Sequence, residues 1–282
     1  RGLGDVYKRQ DRDTVYRLEE VVVSGRQILG SKFKARNRTG SAYYISPEEI
    51  RKFGYTDINR MLKAVPGVNM YEEDGFGLRP NISLRGTKAE RSERISIMED
   101  GILAAPAPYS APAAYYFPNA ARMEAVEVVK GSSQVQYGPF TTGGAINMVS
   151  TPIPNTFSGT ANLSYGSKNT FKSHTHIGNM WKHFGFMAEY LRYQSDGFKK
   201  YEDHPVKGFN RDDLIAKVMV KTDKGTGVNH ALELKFGYAG ENSDETYVGL
   251  SEEDFKQTPF VRYAGSQMDE LKTNHQQWVA TY

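Results

Sequence analysis

The chain has 282 residues, no cysteine, and a net charge of +3 from 36 basic and 33 acidic residues mixed along its length. These values exclude disulfides and thiolate metal sites, and without a basic block they argue against nucleic acid as a partner. A hydrophobic fraction of 39% with 18 tyrosines predicts a folded, β-rich chain, and the lack of a long apolar run excludes a transmembrane helix.

Both ends of the chain differ in character from its middle. Residues 1–17, which begin "RGLGDVYKRQ", have no relation in pattern to the rest of the chain and are interpreted as a sequence artefact or a disordered N-terminus. Residues 18–40 begin with "LEEVVVSG", three valines flanked by charges, and are predicted to form an extended segment and a linker. The final "QQWVATY" stops inside a strand pattern, so we expect a fragment truncated at both ends.

Residues 41–153 are predicted to form a domain that mixes helices and strands. "SPEE" at 46–49 predicts a helix start with a capping box, and a second helix is predicted at 57–64 with Thr56 as its cap. Short strands are predicted at 81–85, 94–99, 125–129 and 145–149.

Residues 154–282 alternate apolar and polar side chains. For example, Phe184 and Phe186 lie on the face opposite Met187 and Glu189. About six such segments, each about ten residues long, are typical of a membrane barrel with a wet lumen. A soluble sandwich also alternates, but its strands are rarely this long.

The stretch "EVVKGSSQVQYGPFTTGGAINMVS" at 127–150 places a glycine-rich loop between two strand-like runs. The spacing of Gly138 and Gly143 matches the start of a P-loop, but Gly144 and Ala145 replace the lysine and the hydroxyl residue that such a loop needs. The glycines are therefore interpreted as allowing tight turns and close backbone packing. A soluble nucleotide-binding enzyme remains the alternative from a different class.

Four motifs occur together and in order: "LRG" (84–86), "MEDG" (98–101), "VEVVKGSSQVQYG" (126–138) and "GGAINMVS" (143–150). Together they resemble the plug domain of TonB-dependent outer-membrane receptors. The resemblance implies an α+β plug domain at 41–153, followed at 154–282 by about six antiparallel strands that begin a large transmembrane β-barrel. The motif residues are Arg85, Gly86, Asp100, Gly101, Lys130, Gly131, Tyr137, Gly138, Gly143 and Gly144.

The resemblance implies energy-coupled uptake of a ferric chelate, of the siderophore or iron dicitrate type, across the outer membrane of a Gram-negative bacterium. The implied partners are a periplasmic TonB-type protein, the chelate and outer-membrane lipid; no cofactor is implied, since iron travels as cargo. "APAPY" at 105–109 and "SDETYVGLSEEDFKQTP...RYAGS" at 243–266 resemble the ferric citrate receptor branch. Import of cobalamin or a glycan, or a role as a surface binding protein, remains open on the same fold.

"LEEVVVSG" resembles a TonB box, the short extended segment ahead of the plug. Glu20, Val21, Val22 and Val23 would then add as a strand to a sheet edge of the partner. The alternative is an ordinary first strand of the plug.

The long loops at 71–81 and 100–118 are predicted to bind the ligand, because loops of this length usually serve binding. A charged chelate needs cationic and hydroxyl donors, and the candidates are Arg79, Tyr109, Tyr115 and Tyr116. A solvated or salt-bridged Arg79, and tyrosines that only pack the loop, are the alternatives.

Two histidines, His174 and His176, share one strand face and could bind zinc, but no third ligand is evident in the sequence. They are therefore interpreted as part of a polar lumen face, and no metal site is predicted. No Ser/His/Asp set and no paired carboxylates suggest catalysis, so the chain is not expected to be an enzyme.

Overall fold

The structure is a computed structural model that describes residues 26–54, 56–108, 110–138, 142–201, 208–222 and 228–282. It contains a five-stranded mixed sheet, a six-stranded antiparallel sheet and a two-stranded sheet. Among the described residues, no helix is both long enough and apolar enough to cross a membrane.

The five-stranded sheet is built from the N-terminal part of the chain. The helices and strands of this part are α1 (Lys32–Asn37), β1 (Ser41–Ile45), α2 (Pro47–Phe53), α3 (Ile58–Leu62), β2 (Val68–Tyr71), β3 (Asn81–Leu84), β4 (Ile95–Glu99), β5 (Ile102–Leu103), β6 (Met123–Lys130) and β7 (Gly144–Ser150). The strand order is β1-β6-β7-β4-β5, in which only β4 and β7 run parallel, while β2 and β3 pair separately. The four predicted short strands are confirmed as β3, β4, β6 and β7.

The predicted capping box at the start of α2 is confirmed. The Ser46 side chain accepts a hydrogen bond from the Glu49 N–H, and the Glu49 carboxylate accepts one from the Ser46 N–H. The helix ends at Gly54, which adopts a left-handed conformation with φ of 58°.

The second helix differs from its prediction in length and in its cap. α3 covers only Ile58–Leu62, and its N-cap is Asp57, whose carboxylate accepts from the Asn59 N–H at 2.8 Å. The predicted cap, Thr56, is wrong, because its hydroxyl instead accepts from Lys172 of a distant strand at 2.9 Å. An aspartate adjacent to the first helical residue is the stronger acceptor for the orphan N–H groups.

Three strands were not predicted, namely β1, β2 and β5. The β1 sequence, SAYYI, does not alternate polar and apolar residues, and four of its five residues are half-buried. Its position is set by pairing with β6 from Ser41 opposite Lys130 to Ile45 opposite Val126. The pairing with β6 therefore makes this segment a strand, although its own sequence gives little indication of one.

The six-stranded sheet follows the chain in order, each strand antiparallel to the next. The number of strands agrees with the prediction of about six. A short helix, α4 (Glu252–Gln257), lies in the connection before the last strand. The strands are β8 (Ser158–Gly166), β9 (Thr170–Met180), β10 (Phe184–Ser195), β11 (Phe209–Lys221), β12 (Ala231–Asp244) and β13 (Glu270–Thr281).

The two faces of the six-stranded sheet have different chemistry. Ile215 and Lys217 of β11 are 1% and 0% exposed on the face that packs on the five-stranded sheet, whereas Val218 and Val220 are 38% and 55% exposed on the other face. Outward apolar and inward charged side chains are the alternation that the sequence predicts for a barrel wall.

The core of the N-terminal part lies between the five-stranded sheet and helices α2 and α3. Ile58, Leu62, Ile82, Ile97 and Ile146 are each 0% exposed within one cluster. Each side chain of this size contributes about 1.5–3 kcal/mol when fully buried. The core therefore fixes β4 and β7, whose C-terminal ends carry charged and polar side chains toward the six-stranded sheet.

Candidate functional site

Glu99, the last residue of β4, joins the five-stranded sheet to the six-stranded sheet. Its two carboxylate oxygens accept from Nη1 and Nη2 of Arg122, both at 2.8 Å, and Lys235 of β12 donates to it at 2.6 Å. The side chains of Glu99, Arg122 and Lys235 are 1%, 1% and 3% exposed. A bidentate pair and a second cation thus meet in the interior of the fold.

Asp100 extends this network by one residue and has a positive φ of 55°. Its carboxylate accepts from the Ser150 N–H at 2.9 Å, from the Ser150 hydroxyl at 2.5 Å and from Lys235 at 2.5 Å. Lys217 of β11 donates to the Ser150 hydroxyl at 2.6 Å and to the Thr151 carbonyl at 2.7 Å. Two lysines of the six-stranded sheet thus hold the ends of β4 and β7.

Both carboxylates stay ionised at neutral pH. Burial acts to raise the pKa of Glu99, but Arg122 and Lys235 outweigh it and hold this pKa well below its usual range. Burial also acts to raise the pKa of Asp100, but Lys217 and Lys235 lower it to about 2. The network therefore consists of charged groups that compensate one another.

Glu127, in the middle of β6, fastens the most N-terminal described residues to the sheet. Its carboxylate accepts from the N–H groups of Ile28 at 2.7 Å, Leu29 at 3.0 Å and Gly30 at 2.7 Å. Asn147 of β7 donates to the same carboxylate and to the carbonyl of Arg26, both at 2.8 Å. Residues 26–30 are thus attached directly to two central strands.

Replacing Glu127 with alanine is expected to release residues 28–30 from the sheet. Three N–H groups would lose their acceptor, and a buried donor without a partner costs about 1–3 kcal/mol. We expect hydrogen exchange at these amides to accelerate at least about tenfold, which corresponds to about 1.4 kcal/mol.

The matched control is Glu72→Ala, which removes an exposed carboxylate paired with Lys63 at 3.1 Å. This control should leave exchange at residues 28–30 unchanged. If the amides of residues 28–30 exchange equally slowly in Glu127→Ala and in the unmodified protein, Glu127 does not hold these residues on the sheet.

The loop at 71–81 is held at one end of the six-stranded sheet. The Asp74 carboxylate accepts from the N–H groups of Phe76 at 2.5 Å, Gly77 at 2.7 Å and Arg79 at 2.9 Å. The Phe76 ring lies 4.7 Å from the ring of Phe209 in β11. This loop is therefore ordered by its own turn and by contact with the strands.

Next to this loop lies an open cleft of about 1080 Å³. Its walls are the loop 71–81, residues 89–91, residues 198–199 and the connection between β12 and β13. The lining combines cationic, acidic and aromatic side chains: Lys199, Arg91, Arg262, Glu72, Glu73, Glu90, Glu252, Tyr71, Tyr247, Phe198 and Phe255. A mixed polar and aromatic lining suits a polar ligand with several acceptor groups.

Three of the four predicted ligand residues, Arg79, Tyr115 and Tyr116, do not line this cleft. Arg79 forms ion pairs with Glu241 and Glu245 of the β12 end, so its charge is already compensated. Tyr116 is 6% exposed, and its hydroxyl accepts from Arg122 at 3.2 Å. Tyr115 is 53% exposed, and Tyr109 lies outside the described residues.

Some motif glycines lie at close approaches of other atoms, and others have a positive φ. A Cβ on Gly131 would lie 2.3 Å from the Arg85 guanidinium, and one on Gly143 would lie 3.0 Å from the Arg94 carbonyl. The Lys130 ammonium donates to the Pro66 carbonyl at 2.6 Å. Gly86, Gly101 and Gly138 have φ values of 76°, 80° and 128°, which favour glycine, and the Tyr137 carbonyl accepts from the Ser96 hydroxyl at 3.0 Å.

Comparison with known proteins agrees with this geometry. Residues 34–145 match the family described as the TonB-dependent receptor plug domain. Residues 34–145 are therefore a TonB-dependent receptor plug domain. The unit built on the five-stranded sheet is accordingly the plug, and β8–β13 are strands of the barrel.

The relatives and structures that it resembles are transporters and receptors. The chain is 26% identical to the unliganded ferric citrate transporter FecA, with a TM-score of 0.67 over 83% of this chain and 36% of that one. The Vitamin B12 transporter BtuB of Vibrio vulnificus (strain YJ016) is 27% identical over 168 residues, which are 57% of this chain and 26% of the relative. The ferric yersiniabactin uptake receptor FyuA from Yersinia pestis shares the fold, with 20% identity and a TM-score of 0.59 over 76% of this chain and 34% of that one. The chain thus spans well under half the length of each.

Sequence reasoning missed the barrel lysines that hold the plug. The alternation in β11 and β12 places Lys217 and Lys235 on the inner face, but nothing in the sequence assigns them to Asp100 and Glu99. The predicted TonB-box residues Glu20, Val21, Val22 and Val23 lie outside the described residues.

Proposed function

We propose that this TonB-dependent receptor takes up a ferric chelate across the outer membrane of a Gram-negative bacterium. Two features support the proposal. Buried ion pairs join the plug to the barrel, and a polar cleft lies at the end where loop 71–81 meets the barrel connections. The similarity to the ferric citrate transporter supports iron as the cargo.

In this proposal the cleft receives the chelate between plug and barrel. The cations Arg91, Lys199 and Arg262 would face acidic groups of the cargo, and Tyr71 and Tyr247, 68% and 62% exposed, would offer hydroxyl donors. The acidic residues of the cleft would disfavour a bare carboxylate ligand, so a chelate whose charge is partly neutralised by its metal fits better.

Energy coupling would act on the other side of the plug. A periplasmic TonB-type partner would bind residues 20–23 by strand addition and pull on them. The first described contacts along that path are made by Arg26, whose carbonyl accepts from Asn147 and whose guanidinium pairs with Glu233, and then by residues 28–30 on Glu127. Because Glu127 and Asn147 lie on central strands, force at residue 28 reaches the middle of the plug sheet directly.

Growth on defined iron sources tests the cargo. A strain that lacks its own iron receptors and carries the full receptor gene should grow on a ferric chelate as the only iron source. Failure on ferric citrate and on all other chelates, with the receptor present in the outer membrane, would contradict the proposal.

Cobalamin uptake is the second candidate, and the 27% identity to the Vitamin B12 transporter favours it. The same strain, made dependent on cobalamin, distinguishes cobalamin uptake from ferric chelate uptake. Growth rescue at low cobalamin without rescue on any ferric chelate would assign the receptor to cobalamin.

Replacing Val22 with proline in the full receptor is expected to abolish uptake and to leave surface binding of the chelate unchanged. Proline removes the backbone N–H that strand addition requires. Cell-associated and internalised iron are measured separately, with Val22→Ala as the control that keeps the donor. Equal loss of binding in Val22→Pro would mean that Val22 belongs to the fold of the plug.

A further inference from the structure

Two histidines of β9 and a glutamate of β10 lie together on the inner face of the barrel strands. His174 and His176 are two residues apart and share a face, and the register places Glu189 directly opposite His176. One ligand atom from each of the three residues lies within 4.8 Å of the others. The third ligand that the sequence does not reveal is therefore Glu189, which only the strand register brings to the pair.

Two polar atoms of this cluster are buried and have no hydrogen-bond partner among the residues that the structure describes. They are Nδ1 of His176 and Oε2 of Glu189, whose side chain is 1% exposed. The other carboxylate oxygen, Oε1, contacts Nε2 of His174 at 2.7 Å and accepts from the Thr151 hydroxyl at 2.8 Å. A buried carboxylate with one unsatisfied oxygen is costly unless it serves a ligand.

We propose that His174, His176 and Glu189 bind a divalent transition-metal ion, with zinc as the expected occupant. Two imidazoles and one carboxylate are the ligand set that zinc takes when a fourth position stays open. Tetrahedral bonds of about 2.0–2.1 Å require ligand atoms about 3.3 Å apart, so small side-chain rotations from the present separations suffice. Two nitrogen ligands disfavour calcium and magnesium, which prefer oxygen.

His174 and His176 line a cavity of about 750 Å³ between plug and barrel, which leaves room for a fourth ligand. Glu124 of β6 lines the same cavity and lies close enough to Glu189 for the two carboxylates to repel each other. A cation bound at the cluster would relieve that repulsion. The positive residues that line the cavity are Arg51, Arg122 and Lys172. Arg122 is paired with Glu99, and Lys172 donates to the Thr56 hydroxyl at 2.9 Å.

The metal-binding cluster lies next to Thr151, where the chain passes from the plug to the barrel. Thr151 follows β7 at the exit of the chain from the plug and donates to the proposed ligand Glu189. The ligands lie on two paired strands, which hold them more precisely than loops would. A bound ion would therefore link β9 to β10 close to the place where the chain passes from the plug to the barrel.

Zinc titration of the full receptor, purified in detergent without a histidine tag and stripped with EDTA, tests the proposal. Calorimetry should show one site that is lost, or weakened at least about a hundredfold, in both His176→Ala and Glu189→Gln. Glu189→Gln keeps the side-chain shape and an acceptor for Thr151. Cobalt in place of zinc should give the absorption bands of a tetrahedral nitrogen and oxygen site in the unmodified receptor only.

The matched control is His183→Ala, which removes an exposed histidine whose ring lies 3.2 Å from the Lys221 carbonyl. It should leave zinc binding unchanged. The proposal is overturned if His176→Ala and Glu189→Gln, each still folded by resistance to protease, bind zinc as tightly and in the same amount as the unmodified receptor.

Discussion

Replacing Glu99 with alanine is expected to destabilise the plug within the full receptor by about 3–5 kcal/mol. The carboxylate accepts two hydrogen bonds from Arg122 at 2.8 Å and one from Lys235 at 2.6 Å, and all three side chains are buried. Alanine would leave two buried cations: Lys235 beside Asp100 at 2.5 Å, and Arg122 with Asp213 at 3.7 Å. The urea midpoint at which the plug loses protease resistance in the detergent-solubilised receptor measures the change.

Two further variants distinguish the loss of the buried charge from the effect of shortening a glutamate side chain. Glu90→Ala removes an exposed carboxylate that pairs with Lys88 at 2.6 Å, and it should not shift the midpoint. Glu99→Gln keeps the shape of the side chain and should shift the midpoint less than Glu99→Ala. If Glu99→Ala unfolds at the same urea concentration as Glu90→Ala, the ion pairs do not stabilise the contact between plug and barrel.

The same network predicts how the loss of stability in Glu99→Ala depends on pH. The pKa of Asp100 is lowered to about 2 in the folded protein, and that of Glu99 is held well below its usual range. A lowered carboxyl pKa gives stability that is fully present above the unfolded value and is lost as pH falls through the folded value. The effect of Glu99→Ala should therefore be constant from about pH 5 to pH 8 and shrink only below about pH 4.

Features that depend on neighbouring residues could be predicted from the sequence. The capping box of α2 involves residues three apart, and the burial of β10 alternates from residue to residue, as the opposite faces predicted for Phe186 and Met187 require. The motif glycines also gave a clear local signal, because a positive φ or a close approach restricts the residue type.

Features that depend on distant pairing could not be predicted. Arg79 meets Glu241, a residue 162 positions away, and this pairing leaves little free charge for a ligand. Tyr116 looks like a ligand residue in its loop, but Arg122 and the ring of His275, 3.8 Å away, enclose it. In both cases the residue type suggested binding, and the partner from another sheet determined its role.

The histidine pair shows the same limit for a candidate metal site. The alternation of β9 places His174 and His176 on one face, which the sequence reveals. Their contact with Glu189 depends on the register of β9 with β10, and one shifted residue would turn Glu189 to the opposite face. A ligand set formed across two strands therefore requires the structure.

Replacing Gly144 with alanine is expected to destabilise the plug by about 3–5 kcal/mol, since backbone strain and overpacking act together. Gly144 begins β7, between β6 and β4, with φ of 152°. A Cβ there would lie 2.3 Å from the Val129 carbonyl oxygen and 2.5 Å from a methyl group of Leu84. The carbonyl belongs to the paired strand β6, so relief requires the strands to separate.

Gly67→Ala is the matched control, because it isolates backbone strain from steric contact. Gly67 also has a positive φ, of 71°, but a Cβ at this position would meet no atom of the described residues within 4 Å. Strain alone should cost about 1–2 kcal/mol, so Gly144→Ala should unfold at a clearly lower urea concentration. Equal midpoints for the two variants would show that β6 and β7 can move apart at little cost. The glycines of the motif would then serve turn geometry alone, and the close packing of the central plug strands would not explain their presence.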